Sequence, residues 1–573
     1  MAKGLRARHR NGIVAAILTL GLVAAACGGG GNGTSGSSGP PTTGGVSGDD
    51  TDPGKPVVGG EAVYALEAET DDGWCLVEAQ LAIAGIQVAR SIYDTLAAPD
   101  SEGNVVPFLA KTIEPNADAT VWTITLREGI KFHDGTDLTA EVVKNNLDAY
   151  RGQYEGRSPL LTVFVFQDVE SIDVVDELTL TVTMKRGWAA FPSFLYGSGR
   201  FGMMAQAQLD SPDHCNDEMI GTGPFKFEGD WIVNDHLTLV KNENYWRKDA
   251  DGTPLPYLNK LTYIPVLETS TLVNGVKTGQ YTLAQSDSAE GIAQLRGLKD
   301  SGDISLVESD KFPELAYILL NASLAPFDNI NARFAVAHAF NYEELNTLRN
   351  EDLLQRATGP FGPGVTGYLP DQELPGYDLD LAKEFVAKYT EETGEPLEFS
   401  LSSTPDAGSI ESANLTKSYF EAAGMKVEIR TALQAAYIDL AISGDFQAMG
   451  WRNHPGFDPD TQYVWWYGVG NGNPVNFSRF TDPEIDRLLD EGRTETDPAV
   501  RQQIYEDLNR RFAEQMWSMW TFYTLWSIPG AANLHGVFGP NLPTEDSPDA
   551  VGAKPYDGLG VGHDVSGLWL SEE

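Results

Sequence analysis

The sequence predicts an α/β protein of more than one domain, with mixed sheets flanked by helices. Length is the first reason: 573 residues exceed what one hydrophobic core supports, so two or three domains are expected. Composition is the second, because 42% hydrophobic residues with 12 Trp can fill large cores. The third is alternation, with period-two runs and stretches of helical period following one another along the chain.

The amino terminus comes first. Lys3, Arg6, Arg8 and Arg10 precede an apolar run from Ile13 to Val23, which ends in Val23-Ala24-Ala25-Ala26-Cys27. That run is too short to span a membrane stably, and its small residues suit a signal peptidase, so residues 1–26 read as an export signal. The closing residues resemble the lipobox of bacterial lipoproteins, with Ala24 where Leu is commonest. This resemblance implies diacylglycerol on Cys27 and a cell-membrane location, lipid-anchored on the extracytoplasmic face. A plain secretory signal cleaved nearby is the alternative. Residues 27–57, rich in Gly, Ser, Thr and Pro, read as a flexible tether. In an oxidising compartment the remaining cysteines, Cys75 and Cys215, are expected to form a disulfide, the alternative being two separately buried thiols.

Along the body, Glu61 to Leu66, Trp122 to Leu126 and Glu177 to Met184 alternate in character and predict strands. Glu78 to Leu96 predicts a helix. His133-Asp134-Gly135 reads as a turn rather than a metal or acid–base pair, and Thr139 caps the next helix with Glu141 in its first turn. Gly197 to Gly202 fits a dinucleotide fingerprint by letter, but an aromatic run precedes it and Pro212 follows, so a flexible loop is expected. Asp249-Ala250-Asp251-Gly252 lacks the closing Glu of a calcium loop and reads as a turn. Further on, strands are expected at Leu315 to Leu320, Pro396 to Leu401 and Lys426 to Ile429. Helices are expected at Asn331 to Phe340, Leu379 to Tyr389, Ser412 to Ala423 and Ala499 to Trp517, and a single strand from Trp520 to Ile528.

Several short motifs fall in series: Ser91-Ile92-Tyr93-Asp94-Thr95-Leu96, Pro107-Phe108-Leu109-Ala110, Phe132-His133-Asp134-Gly135, Leu138-Thr139-Ala140-Glu141, Gly221-Thr222-Gly223-Pro224-Phe225, Asn242-Glu243-Asn244-Tyr245-Trp246 and Asn331 to Phe340. Their order and spacing over about residues 60 to 530 resemble the family 5 extracytoplasmic solute-binding proteins of ABC importers, the peptide and nickel-chelate binding group. Val142 and Asn341 depart from that pattern where Asp is frequent. The resemblance implies the two-lobe periplasmic-binding-protein type II fold with an extra subdomain inserted in the first lobe. It places lobe I in 58–84, 206–305 and 521–573, the insertion in 85–205 and lobe II in 306–520. It also implies a receptor without catalytic residues, cofactor or metal, expected to be a monomer. Its partners would be a small solute or oligopeptide and the ABC transporter permease subunits with their ATPases.

Charge and missing motifs narrow the function further. A net charge of −42, from 40 Lys+Arg against 82 Asp+Glu, disfavours nucleic acid. No nucleophile elbow, zinc helix or phosphate loop occurs in the chain, which argues against an enzyme. Oligopeptide is the first expectation for the solute. The alternatives are an anionic metabolite, an oligosaccharide or a metal chelate, or a surface sensor that does not import.

The candidate ligand contacts lie where Phe446, Ala448 and Met449 lead into Gly450 to Asp460. In the resembled family a Trp followed three residues later by Asp sits in the second-lobe cleft, and in peptide-binding members that Asp pairs with the peptide's α-ammonium. Trp451 matches the Trp, but His454 stands at the Asp position, which leaves Asp458 as a displaced candidate. Arg452 suits a carboxylate or phosphate, unless it pairs with one of the many Asp and Glu. His454 has a hydrogen-bonded loop role as its alternative. Trp465 and Trp466 are candidate cleft walls, with burial in the core as theirs.

Overall fold

The computed structural model describes residues 46–48, 54–69, 73–79, 81–159, 162–212, 214–453, 456–471, 473 and 475–572. The expected export signal, Cys27 with most of the tether, and His454 lie outside the described residues.

Two mixed sheets organise the body. The first has eight strands, in the order Val46–Ser47, Ile304–Ser309, Trp526–Ala531, Leu283–Ala284, Glu61–Leu66, Lys260–Pro265, His236–Lys241 and Phe225–Ile232. Its strand Glu61–Leu66 shows why both faces are covered. Tyr64 and Leu66 turn to one core, while Ala65 turns to the other beside Leu272, Val276 and Leu295 of the helices Thr269–Lys277 and Ala289–Asp300. The second sheet has five strands, ordered Lys426–Thr431, Glu398–Ser403, Ala448–Asn453, Leu315–Leu320 and Ser518–Tyr523. There Ile318 and Leu320 meet Val336 and Phe420 of the helices Ile330–Ala339 and Ala407–Ala422, while Tyr317 and Leu319 face the opposite core.

The chain passes between these sheets twice. Ile304–Ser309 of the first leads through Asp310–Glu314 to Leu315–Leu320 of the second, and Ser518–Tyr523 returns through Thr524 and Leu525 to Trp526–Ala531. The single strand expected from Trp520 to Ile528 is therefore two strands in different sheets. The apolar run is unbroken at the change, which is fixed by tertiary contacts: Thr524 donates its backbone N–H to the Glu314 carbonyl at 3.0 Å.

A separate antiparallel sheet, ordered Ala110–Pro115, Val121–Leu126, Thr179–Met184 and Val169–Val174, falls inside the expected insertion. The helix Ala140–Tyr150 that packs by it starts at Thr139, whose hydroxyl accepts from the Val142 N–H. Cys75 and Cys215 form a disulfide with their Cα atoms 5.0 Å apart. Part of the expected tether joins the first sheet: Val46 and Ser47 pair with Ser309 and Glu308 as an edge strand. Gly197–Gly199 is a 3-10 turn against Phe201 and Arg90 rather than a loose loop. Asp249 closes its turn by accepting from the N–H groups of Asp251 and Thr253. No described helix is long and apolar enough to cross a membrane.

Candidate functional site

The strand Ala448–Asn453 runs antiparallel to Leu315–Leu320, with Trp451 opposite Tyr317 and Arg452 opposite Ala316. Successive side chains leave opposite faces of a strand, so these two neighbours meet different surroundings. Trp451 is half-buried. It lies parallel to the Tyr437 ring at 6.3 Å and edge-on to Phe477 at 5.3 Å. Tyr437 is fixed in turn by donating its hydroxyl to the Gly450 carbonyl at 2.6 Å.

Arg452 crosses to the first sheet. Its guanidinium pairs with Glu67 at 3.4 Å and with Asp287, lies 3.9 Å from Glu314, and sits 5.6 Å from the Trp526 ring centre. Glu67 immediately follows Glu61–Leu66, Asp287 follows Leu283–Ala284, and Glu314 closes the first crossing. Three acidic side chains from three chain segments thus surround one cation. Glu314 is 3% exposed and accepts from the Trp526 indole N–H at 3.1 Å. Burial, reinforced by the charge of Glu67, pushes its carboxyl up to about 8, against the opposing pull of the indole and of Arg200.

The other candidates separate. Asp458 is held by Arg501 through a two-pronged ion pair, both contacts at 2.5 Å, and its Oδ1 also caps the Asp460 N–H. Both oxygens are engaged, so in this structure it is not presented as an ammonium partner. Trp466 is 4% exposed and packs in the core against Phe361, Phe512 and Trp520, which corrects its reading as a cleft wall. Trp465 is half-buried, edge-on to Phe477 at 5.5 Å, on the same cluster as Trp451. Adjacent residues of the helical turn Tyr463–Trp466 point about 100° apart, which is why the pair divides.

The sequence offered no signal for Glu67, Asp287 or Glu314, which are single acids among 82. Phe457, inside the candidate stretch Gly450 to Asp460, is buried against Tyr196, Phe312 and Tyr556 at 4.7 to 5.7 Å. A second junction joins the four-stranded sheet to the helix Pro483–Thr494. Fully buried Arg493 pairs with Asp460 at 3.0 Å and Asp168 at 2.9 Å, and Trp188 donates its indole N–H to Asp460 at 2.7 Å. A cavity of about 280 Å³ beside the crossings, lined by Ser47, Arg296, Glu308 and Tyr523 among others, includes none of the candidates. Among the described residues, no group of three or more His, Cys, Asp or Glu is placed to hold a metal ion.

Two helix-flanked sheets, connected by paired crossings and meeting at aromatic and charged groups, define a two-lobe solute-binding protein. Residues 104–474 match the family described as bacterial extracellular solute-binding proteins, family 5 (middle region), and the chain belongs to that family. It is thus a solute-binding protein of an ABC importer. Among curated proteins it is similar to the glutathione-binding protein GsiB of Pectobacterium atrosepticum, at 26% identity over 443 residues, covering 75% of this chain and 82% of GsiB. Among solved structures it is similar in fold to AgaA from A. tumefaciens R10 in complex with agropinic acid, at TM-score 0.77 and 23% identity, covering 90% of this chain and 99% of that one. DppA from Helicobacter pylori in complex with peptide STSA gives TM-score 0.77 and 20% identity, with the same coverage.

Proposed function

We propose that this chain is a membrane-anchored receptor that captures an oligopeptide between its lobes and passes it to an ABC permease. Cys27 carries the lipid, the body works as a monomer, and the solute leaves chemically unchanged. Lobe I comprises 58–84, 206–305 and 521–573, the inserted subdomain 85–205, and lobe II 306–520. The observation that carries the reading is the meeting of the Trp451–Arg452 strand end on one sheet with Glu67 and Asp287 on the other. A solute held there touches both lobes, and contacts made better in the closed form are what shift the population towards it.

Trp451 and Trp465 supply apolar area around Phe477, and His454 is a further contact of the solute by its place in the sequence. The peptide class draws support from the relatives, since GsiB is named for glutathione and DppA was solved with a peptide. AgaA, solved with agropinic acid, favours a non-peptide solute as the second reading. Native mass spectrometry of gently purified protein tests the choice. A series of peptide masses is expected, and one discrete non-peptide mass would sink the peptide reading.

A further inference from the structure

The position at which the resembled family holds a peptide's ammonium is His454 here, and the next acid, Asp458, is locked to Arg501. The acids that remain available at the junction are Glu67 and Asp287, which follow strands of the opposite sheet, and Glu314 at the end of the first crossing. We propose that Glu67, Asp287 and Glu314, with the face of Trp526, form a receptor for a cationic group of the solute, and that Arg452 occupies it when solute is absent. This rests on the solute-binding reading above and adds the charge that the solute must carry.

Three features carry the proposal. First, the group already holds a planar cation: the Arg452 guanidinium lies among the Glu67 and Asp287 carboxylates and the Glu314 carboxyl, 5.6 Å from the Trp526 ring centre. An aromatic face with carboxylates around it is the arrangement that binds ammonium and guanidinium ions. Second, the buried floor of the receptor is fixed and its occupant is not. Trp526 is 1% exposed and Glu314 3%, and they are hydrogen-bonded to one another. The Arg452 side chain, by contrast, is 37% exposed on a long flexible stem, so its ion pairs are partly screened and a better-held cation displaces it. Third, two carboxylates, Glu67 and Asp287, face one guanidinium beside the protonated Glu314 carboxyl, so acceptor oxygens remain for a cation that arrives with further contacts of its own. Because the present occupant is a guanidinium against an aromatic face, an organic cation, an ammonium or a guanidinium, is the guest that fits.

Arg452 and the solute's cation then compete for one place. An empty receptor is held by its own arginine, and a solute must replace it.

The test uses ethylguanidinium as a probe of the receptor alone, together with trialanine and N-acetyl-trialanine. In calorimetry, R452A should bind ethylguanidinium saturably in the millimolar range. Wild type should bind it at least about tenfold more weakly, and R452A/E67Q/D287N should not bind it. Trialanine should displace ethylguanidinium from R452A whereas its acetylated form should not, and R452M should bind trialanine more tightly than wild type does. Circular dichroism and the paired R452A and R452M variants establish that the folds are intact. Failure of R452A to bind ethylguanidinium overturns the proposal, as does binding that survives E67Q/D287N. Specific ethylguanidinium binding that trialanine does not displace supports the cation receptor and removes the peptide reading instead.

Discussion

Glu314 and His563 are both buried titratable groups, and they pull stability in opposite directions with pH. Glu314 keeps its proton up to about pH 8, against an ordinary value of 4.5, so between those values the folded state binds more protons than the unfolded chain. Stability from this group therefore falls as pH rises through the window, by at most about 1.4 kcal/mol per pH unit. Glu314→Gln removes the ionisation, so its stability relative to wild type should rise between pH 5 and pH 8 in urea denaturation. A constant difference across that range would show that Glu314 ionises normally. His563 lies among Tyr64, Gln87 and the Val537 carbonyl, and burial together with the charge of Arg90 pushes it down to about 4. His133, half-buried beside Gly221 and Gly223, is likewise lowered by desolvation to about 4. Here the unfolded state binds the extra proton, so stability is lost as pH falls from about 6.5 through 4. His563→Gln, able to keep one hydrogen bond, should flatten the acid limb of that profile, and an unchanged acid limb would count against the histidine's part.

At the scale of elements, the Cys75–Cys215 link is a covalent constraint outside the sheets. It closes a separation of 140 residues and ties the segment before the helix Ile83–Ile92 to the turn after Gln206–Asp210. In the chain-entropy picture a loop of that size contributes up to about 5 kcal/mol through the unfolded state. Reduction, or Cys75→Ser with Cys215→Ser, should lower the melting temperature without changing strand content by circular dichroism; an unchanged melting temperature would refute this. The same scale shows what could be read from the chain. Glu61–Leu66 and Leu315–Leu320 lie where the sequence puts them, and helices open at Thr139, Asp482 and Asp497 because each side chain caps its own first turn. Local pattern fails where neighbours decide. The run from Trp520 to Ile528 changes sheets without any break in hydrophobicity, and Trp465 and Trp466 look alike in sequence but face different surroundings. Trp451 and Arg452 were visible through their aromatic and charged character. The carboxylates that meet Arg452 were not, because such acids acquire meaning only when folding brings distant segments together.

For the whole molecule, the energetics of closure should concentrate at the second junction, where the four-stranded sheet meets the helix Pro483–Thr494. Arg493 is 0% exposed, between Asp460 and Asp168 and against the Tyr463 ring at 3.6 Å, while Arg186 reaches both Asp168 and Asp490. Breaking a buried ion pair on one side strands the other charge in a dry setting, which costs about 3–5 kcal/mol. Arg493→Met leaves Asp460 in that position, so it should destabilise the fold by that order in urea denaturation. The partner change is more informative about movement. Asp168→Asn removes the charge placed just before the strand Val169–Val174 of the four-stranded sheet but preserves the Arg493–Asp460 pair and the Trp188–Asp460 hydrogen bond within reach of it. If the junction stabilises the closed form, Asp168→Asn should increase the solute-free radius of gyration in small-angle X-ray scattering, and saturating solute should restore the wild-type value, because the solute supplies closed-state contacts of its own. An unchanged radius in the solute-free protein would mean that these ion pairs stabilise the fold without governing closure.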